Sequence, residues 1–408
     1  MIKRGNIQSE LNQHQIIKLL RQKGPITRPE LLRTTGLSRP TVDKIIEGLK
    51  EAGIATEVGT QHVGSRSGRR PTLISLDGSS KFIIGIDLEF PPVRAVIADL
   101  NSIIIIRKQL TLGLTDARED ILNRLQKMIH AMIKESGVPR GSLLGIGVGI
   151  PGVIDYANGI SQNIERLNDW SEVPIKEILE KEFRMPAFVD NDVNLMALSE
   201  ANVNEKALDK NLLFVALRQG IGAGVIIGGQ LYHGSLGNSG FIGHTTIDYR
   251  GPRCRCGKRG CVELYADEPA IELAAADRIG KGEISMLSTD KGARISAQMV
   301  YDAARRDDRL AKSILHDAGW HLGIGITNLV YSFDINHVLL GGNAHRAGAD
   351  YLTGVREAFD THLRYAFQRG MVLDLARTDD YAAAIGATLT VLDYVFKAPE
   401  LPRIAATR

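Results

Sequence analysis

No stretch of the 408-residue sequence approaches the roughly 18 consecutive apolar residues that a membrane-spanning helix needs. The opening MIKRGNIQSELNQHQ carries basic residues but no apolar core of the kind a secretory leader has, so a cytoplasmic protein with no membrane insertion is expected. Cysteine is nearly missing. The three present, Cys254, Cys256 and Cys261, fall within eight residues, and an odd, clustered set argues against disulfides and for a metal. Net charge is small as well, at +3, but unevenly placed. Residues 1–80 hold 13 Lys/Arg against 7 Asp/Glu, and the remainder holds 37 against 40. A basic first segment on a mildly acidic body points to a polyanion at the N-terminal end. The length allows two or three domains at roughly 100–200 residues each.

The first 80 residues divide into three short helical patterns. Leu11–Gln22 places Ile16, Leu19 and Leu20 on one stripe, and Gly24-Pro25 stops it. Thr27 followed three residues later by Glu30 reads as a capping box opening a second helix, which Gly36 ends. A third opens at Ser38 and sets Val42, Ile45, Ile46 and Leu49 at helical spacing, leaving Arg39, Thr41 and Lys44 off the apolar face. Two such helices joined by a tight Gly-containing turn match a helix-turn-helix whose last helix reads DNA. The segments Ile54–Val58 and Thr72–Leu76 flank GSRSGRRP. They form a hairpin with Arg66, Arg69 and Arg70 at its tip, a wing suited to phosphate or minor-groove contact. A plain three-helix packing module would explain any one of these features; their consecutive order favours a reader of double-stranded operator DNA.

Beyond Ser80 the pattern changes to apolar strands. Phe82–Leu88, Val93–Asp99 and Ile103–Leu110 read as a meander, followed by a helix near Arg118–Ser136 and a buried strand at Leu143–Ile150. A second strand-rich start at 211–231 and a later strand at His337–Leu340 suggest a duplicated α/β architecture. Four segments make the pattern specific: GIGVGIPGVID at 145–155, VDNDVNLMALSE at 189–200, GIGAGVIIGG at 220–229 and GHTTIDYRGPRCRCGKRGCVE at 243–263. Together they resemble the ROK (repressor, open reading frame, kinase) family over most of residues 82–390, and with the N-terminal segment the chain resembles the regulator branch of that family. The resemblance implies an α/β fold in which a winged helix-turn-helix at 1–80 precedes a two-lobed, actin-like, sugar-kinase-like ATPase domain. One lobe would span 81–198, with a helix near 381–398 returning to it, and the other 199–380.

Cys254-x-Cys256-x4-Cys261 supplies three soft ligands where a closed tetrahedral site needs four. The family's Gly-His motif supplies the fourth at His244, so the resemblance implies one structural zinc per chain, with no position left open for water. In family kinases the Asp of the Asn-Asp pair is the base for the sugar hydroxyl. Here that pair is Asn191-Asp192, and the family also implies sugar contacts at Glu263, His244 and Asn168. One departure lies three residues before His244, where family members commonly carry Glu and this chain has Phe241. The phosphate side departs further. In place of the family's Asp-x-Gly-Gly-Thr turn stands Asp87-Leu88-Glu89-Phe90-Pro91-Pro92, in which a glutamate repels phosphate and two prolines remove amide donors. The second glycine run persists at Gly220–Gly224, but the preceding Gly-Thr of the family is Arg218-Gln219. The expected protein is therefore a non-catalytic regulator answering to a sugar or sugar phosphate, with Asp192 a vestigial base. It would act as a homodimer or homotetramer, since helix-turn-helix proteins bind paired half-sites. The alternatives are an ATP-dependent sugar kinase with an appended DNA-binding domain, and a regulator whose body binds a protein.

Overall fold

The computed structural model describes residues 4–60, 71–89, 91–167, 169–203, 211–287 and 294–397. The chain falls into two units, Met1–Leu195 together with Tyr381–Arg408, and Met196–Asp380.

The first unit begins with α1 (Arg4–Lys23), β1 (Ile26–Thr27), α2 (Arg28–Thr35), α3 (Arg39–Glu51), β2 (Ala55–Thr60) and β3 (Thr72–Leu76). α1 starts before the Leu11 expected from periodicity. Thr27 caps α2 by accepting from the Glu30 amide at 3.4 Å, the forward half of the capping box. Gly36 ends α2 in the left-handed conformation (φ 68°), its N–H donating to the Leu32 carbonyl, a position at which a Cβ would be strained. Val42, Ile46 and Leu49 of α3 are buried together with Ile16, Ile17 and Leu20 of α1, Leu31 of α2 and Ile74 of β3. The strands lie in the order β1-β3-β2, antiparallel throughout, with Thr60 opposite Thr72.

Next come the antiparallel meander β4 (Phe82–Asp87), β5 (Val93–Asp99) and β6 (Ile104–Leu110), then α4 (Arg118–Ser136) and β7 (Leu143–Ile150). The short strands β8 (Val153–Asp155), β9 (Ile160–Asn163) and β10 (Ser171–Val173) make a small sheet of their own before α5 (Ile175–Phe183), β11 (Ala187–Asn191) and α6 (Asp192–Val203). The main sheet runs β11-β7-β4-β5-β6, with β7 and β11 parallel to β4. All six residues of β4 are buried, as expected for a central strand covered on both faces, and its sequence accordingly reads as an apolar run rather than an alternation.

The second unit repeats this plan. Its meander is β12 (Leu212–Leu217), β13 (Ile221–Ile227) and β14 (Gln230–Leu231). The helices α7 (Glu263–Ala266), α8 (Glu268–Gly280), α9 (Ala297–Arg305) and α10 (Arg309–Phe333) lead to β15 (His337–Gly342), and α11 (Ala344–His362) and α12 (Tyr365–Gln368) lead to β16 (Val372–Leu375). The order β14-β13-β12-β15-β16, with β15 and β16 parallel to β12, matches the first sheet strand for strand. The duplication expected from two similar openings is therefore a duplication of topology. The chain then returns to the first unit as α13 (Ala382–Lys397). Among the described residues no helix is long and apolar enough to cross a membrane.

Candidate DNA-binding, metal and effector sites

Three of the residues expected to meet DNA, Arg39, Thr41 and Lys44, lie on α3. Arg39 is exposed, with its side chain at 83%, Lys44 is exposed and Thr41 half-buried. Ser38, expected to open α3, stands at the N-cap, but its hydroxyl meets the Thr41 hydroxyl at 2.8 Å rather than a backbone amide. Arg39 lies 3.6 Å from Asp43. A second set of charges, not singled out from the sequence, flanks this surface. Arg28 reaches Asp43 at 3.2 Å, Glu47 at 2.9 Å and Glu57 at 3.6 Å, and Lys50 reaches Glu57 at 3.0 Å. These solvated pairs add little stability, but they place a cation against Asp43, Glu47 and Glu57, carboxylates that would otherwise repel a polyanion. The Lys50 contacts raise that amine above its ordinary value and lower Glu57. Arg66, Arg69 and Arg70, proposed for the wing tip, lie outside the described residues, as does Asn168.

In the second unit, the three cysteines and His244 converge. One potential ligand atom from each lies within 4.8 Å of the others. The Cys256 and Cys261 sulfurs are 3.6 Å apart and the Cys254 sulfur is 3.7 Å from His244 Nδ1. A tetrahedral ion with bonds of about 2.3 Å to sulfur and about 2.0 Å to nitrogen requires edges of roughly 3.5–3.8 Å. Two of the six donor separations thus come close to what such an ion demands, and the whole set lies within 4.8 Å. The loop holding them is a tight, cross-bonded turn: Cys254 N–H donates to Lys258 O at 2.8 Å, Ile247 N–H to Gly260 O at 2.8 Å and Val262 N–H to Thr245 O at 3.0 Å. Gly260 (φ 61°) is required there, since a Cβ would stand 1.6 Å from the Asp248 carbonyl oxygen. Burial pushes the Cys254 and Cys261 thiols above their ordinary value, and a divalent cation is what turns such buried thiols into thiolates.

Glu263, expected as a sugar contact, sits beside this cluster. It is 4% exposed, accepts from the Cys254 thiol at 3.1 Å and lies 3.3 Å from His244 Nδ1. The Phe241 ring stacks near His244, with centroids 6.3 Å apart and planes 18° apart.

Asn191 and Asp192 belong to the first unit. The Asn191 side-chain oxygen accepts from the Val193 amide at 3.0 Å and so caps α6, while Asn194 Nδ2 donates to Asp190 at 3.0 Å. Asp192, 5% exposed, stands in the first turn of α6, where a carboxylate is favoured by the helix dipole. At the departed phosphate turn, Glu89 is 8% exposed and 3.8 Å from the Arg94 guanidinium. The second departed position is tied down inside its own unit. Gln219 donates to Glu268 at 3.0 Å, and Glu268 also accepts from Tyr301 OH at 3.1 Å and Asn343 Nδ2 at 2.8 Å. Burial, with Glu268 beside it, holds the Tyr301 hydroxyl protonated. Gln219 stands out in the sequence as a departure from the family's Gly-Thr, whereas no local pattern marks Glu268.

Comparison with known proteins gives these sites a context. The ROK family pattern matches residues 83–393 and a winged helix-turn-helix DNA-binding pattern matches residues 10–56. The chain is similar to a xylose repressor of Caldicellulosiruptor bescii, 27% identical over 96% of this chain and 98% of that one. Among solved structures it is similar to a ROK family transcriptional regulator described as a homolog of the Escherichia coli MLC protein, with TM-score 0.83 and 25% identity over 96% of this chain and 98% of that one. It is also similar to a ROK hexokinase from Thermus thermophilus, with TM-score 0.63 and 26% identity over 78% of this chain and all of that one.

Proposed function

The chain belongs to the ROK family, and from that premise we propose that it is a DNA-binding transcriptional regulator, a repressor of carbohydrate-metabolism genes released by a sugar or sugar derivative. The observation that carries this reading is the union of a winged helix-turn-helix with a full-length ROK body, an arrangement that the similar xylose repressor matches over nearly its whole length. The proposed division is 1–80 for DNA, 81–198 with the returning helix for one lobe and 199–380 for the other. Arg39, Thr41 and Lys44 read base edges, and Arg66, Arg69 and Arg70 hold phosphates. Asn168, Asn191, Asp192, His244 and Glu263 serve the effector, and D-xylose is the first to test because a similar protein is named for it. The metal is one structural zinc on His244, Cys254, Cys256 and Cys261, supported by the convergence of the four donors and by two donor separations near those of a tetrahedral ion. The protein works in the cytoplasm as a homodimer or homotetramer.

The body does not phosphorylate sugars in this reading. Phosphoryl transfer depends on positioning and neutralising the phosphates, and Glu89 contributes the wrong charge at the turn for that task. The kinase alternative is favoured by one observation, the retained Asp192 at the start of α6 in a chain similar to a hexokinase. The test is selection of DNA from a random library by the full-length protein. Binding is then measured with D-xylose, D-glucose, N-acetylglucosamine and their phosphates, beside a coupled ATPase assay on the same sugars. Sequence-specific DNA binding that one sugar weakens, without turnover, supports the reading. Robust turnover with no DNA selection overturns it.

A further inference from the structure

An arginine on α1 packs its side chain against an element that is no part of the winged fold. Arg21 has only 9% of its side chain exposed, and its guanidinium lies 3.6 Å from Asp393 on α13. Arginine is among the residues least often buried, and then usually only when paired. Its neighbours on the same stripe, Ile16, Ile17 and Leu20, are 0%, 2% and 1% exposed. α1 packs against α13 as well as against α2 and β3, so the winged segment shares its first helix with the body.

α13 is seated without slack. A Cβ at Gly85 of β4 would stand 1.9 Å from the Ala384 carbonyl oxygen, and one at Gly147 of β7 2.0 Å from that of Ala387. α6 touches it just as closely, since a Cβ at Gly386 would stand 1.9 Å from the Leu195 carbonyl oxygen. Leu195 is one turn from Asp192, whose Cα would in turn lie 3.3 Å from a Cβ at Gly149. The first turn of α6, the middle of α13 and the sheet thus form one packed stack.

A second brace lies further along α6. Glu200 is fully buried, and its Oε2 accepts from the backbone amides of Arg377 at 2.9 Å and Thr378 at 3.0 Å, the segment that leads into α13. Its other oxygen has no hydrogen-bond partner among the described residues. Burying a carboxylate is costly, and what it gains here is two charge-assisted bonds fixing the entry of α13 to α6. Close-packed interiors are stiff and transmit displacement rather than absorb it.

We propose that α13 couples the polar first turn of α6 to the winged segment, with Arg21–Asp393 as the docking contact and Glu200 as the brace that keeps α6 and α13 in step. As a regulatory device this rests on the effector reading of Asp192, but the coupling itself is tested without an effector. Four full-length proteins, wild type, Arg21→Glu, Asp393→Arg and the double swap, are compared by amide hydrogen exchange across 10–23 and 382–397. Each is also titrated with DNA selected by the wild type. Each single variant should exchange about tenfold faster in α1 and bind that DNA about fivefold or more weakly, and the swap should restore both. Glu200→Gln should speed exchange in α1 as well as in 376–380. Unchanged α1 exchange in the single variants, a swap no better than its worse parent, or a Glu200→Gln effect confined to 376–380 overturns the proposal. If Glu200→Gln fails to fold, the charge pair decides alone. If the wild type selects no DNA, the regulator reading fails while exchange still judges the coupling.

Discussion

Removing the metal tests the proposed zinc most directly, and the structure sets the size of the effect. The four donors lie within 4.8 Å of one another, and the loop between them is already cross-bonded by its backbone. The site is largely formed, so the ion stabilises the folded unit by mass action. At free zinc near a thousand times its dissociation constant, that stabilisation is about 4 kcal/mol. The unit bearing the site, Met196–Asp380, is of the size for which 1 kcal/mol shifts the melting temperature by about 2–4 °C. Stripping the metal with a strong chelator should therefore lower that unit's transition by roughly 8–16 °C. Cys256→Ser should act alike, because Cys256 is only half-buried and serine changes its volume little. The assay is elemental analysis beside differential scanning calorimetry, with the expected result one zinc per chain and a lowered transition in stripped and mutant protein. Protein purified without chelators that carries no zinc, and melts where Cys256→Ser melts, would refute the reasoning.

Lys44→Ala and Arg39→Ala should each reduce discrimination for the selected DNA by about 1–3 kcal/mol if they meet base edges. Fluorescence anisotropy against matched and scrambled duplexes decides it, and equal loss on both duplexes would reassign them to phosphate contacts. Asp192→Asn should leave DNA affinity near wild type while weakening the response to whichever sugar acts, and neither protein should turn over ATP with hexoses. Turnover that the mutation abolishes would make the protein a kinase. Asp308 is pushed up by burial, but its bonds from the amides of Ala311 and Met286 and from the Ser285 hydroxyl leave its carboxyl below the ordinary value. Its stabilising contribution is therefore present above the ordinary aspartate value and lost as pH falls through the lowered one. Asp308→Ala should cost about 1–2 kcal/mol near neutrality as a lost helix cap. The gap from wild type should narrow below pH 4, and a gap constant down to pH 3 in urea melts would contradict this.

How much of the fold could be read from the chain depended on how local its causes are. Val93–Asp99, Arg118–Ser136 and Leu143–Ile150 were placed to the residue, because an apolar period ends sharply at Gly137 and at the Asp-Leu-Asn turn after Val93–Asp99. The cluster that could hold a metal was legible for the same reason, three of its four residues lying within eight residues. The small sheet of β8, β9 and β10 was not, since its strands are three or four residues long and too short to show alternation. The repeat between the two main sheets was faint in sequence because what recurs is the strand order, and pairing constrains burial more than residue identity.

The buried charged residues that no sequence pattern marks share one property: their partners are far away along the chain. Glu268 binds groups 33, 49 and 75 residues distant, and Glu200 grips amides 177 and 178 residues away. No periodicity or spacing rule marks such a residue, because what distinguishes a buried carboxylate from a solvated one is the set of donors that folding brings to it. Glu268 nevertheless bears on function more directly than most residues that carried a motif. It engages the side chain of Gln219, one of the two residues that replace the family's Gly-Thr, and binds it to Asn343 at the end of β15. The Gln219 side chain is thereby already committed to Glu268. Loss of nucleotide binding would then rest on two independent changes, the anionic turn at Glu89 and this internal tether, and restoring glycines near Glu89 alone should not bring back ATP binding.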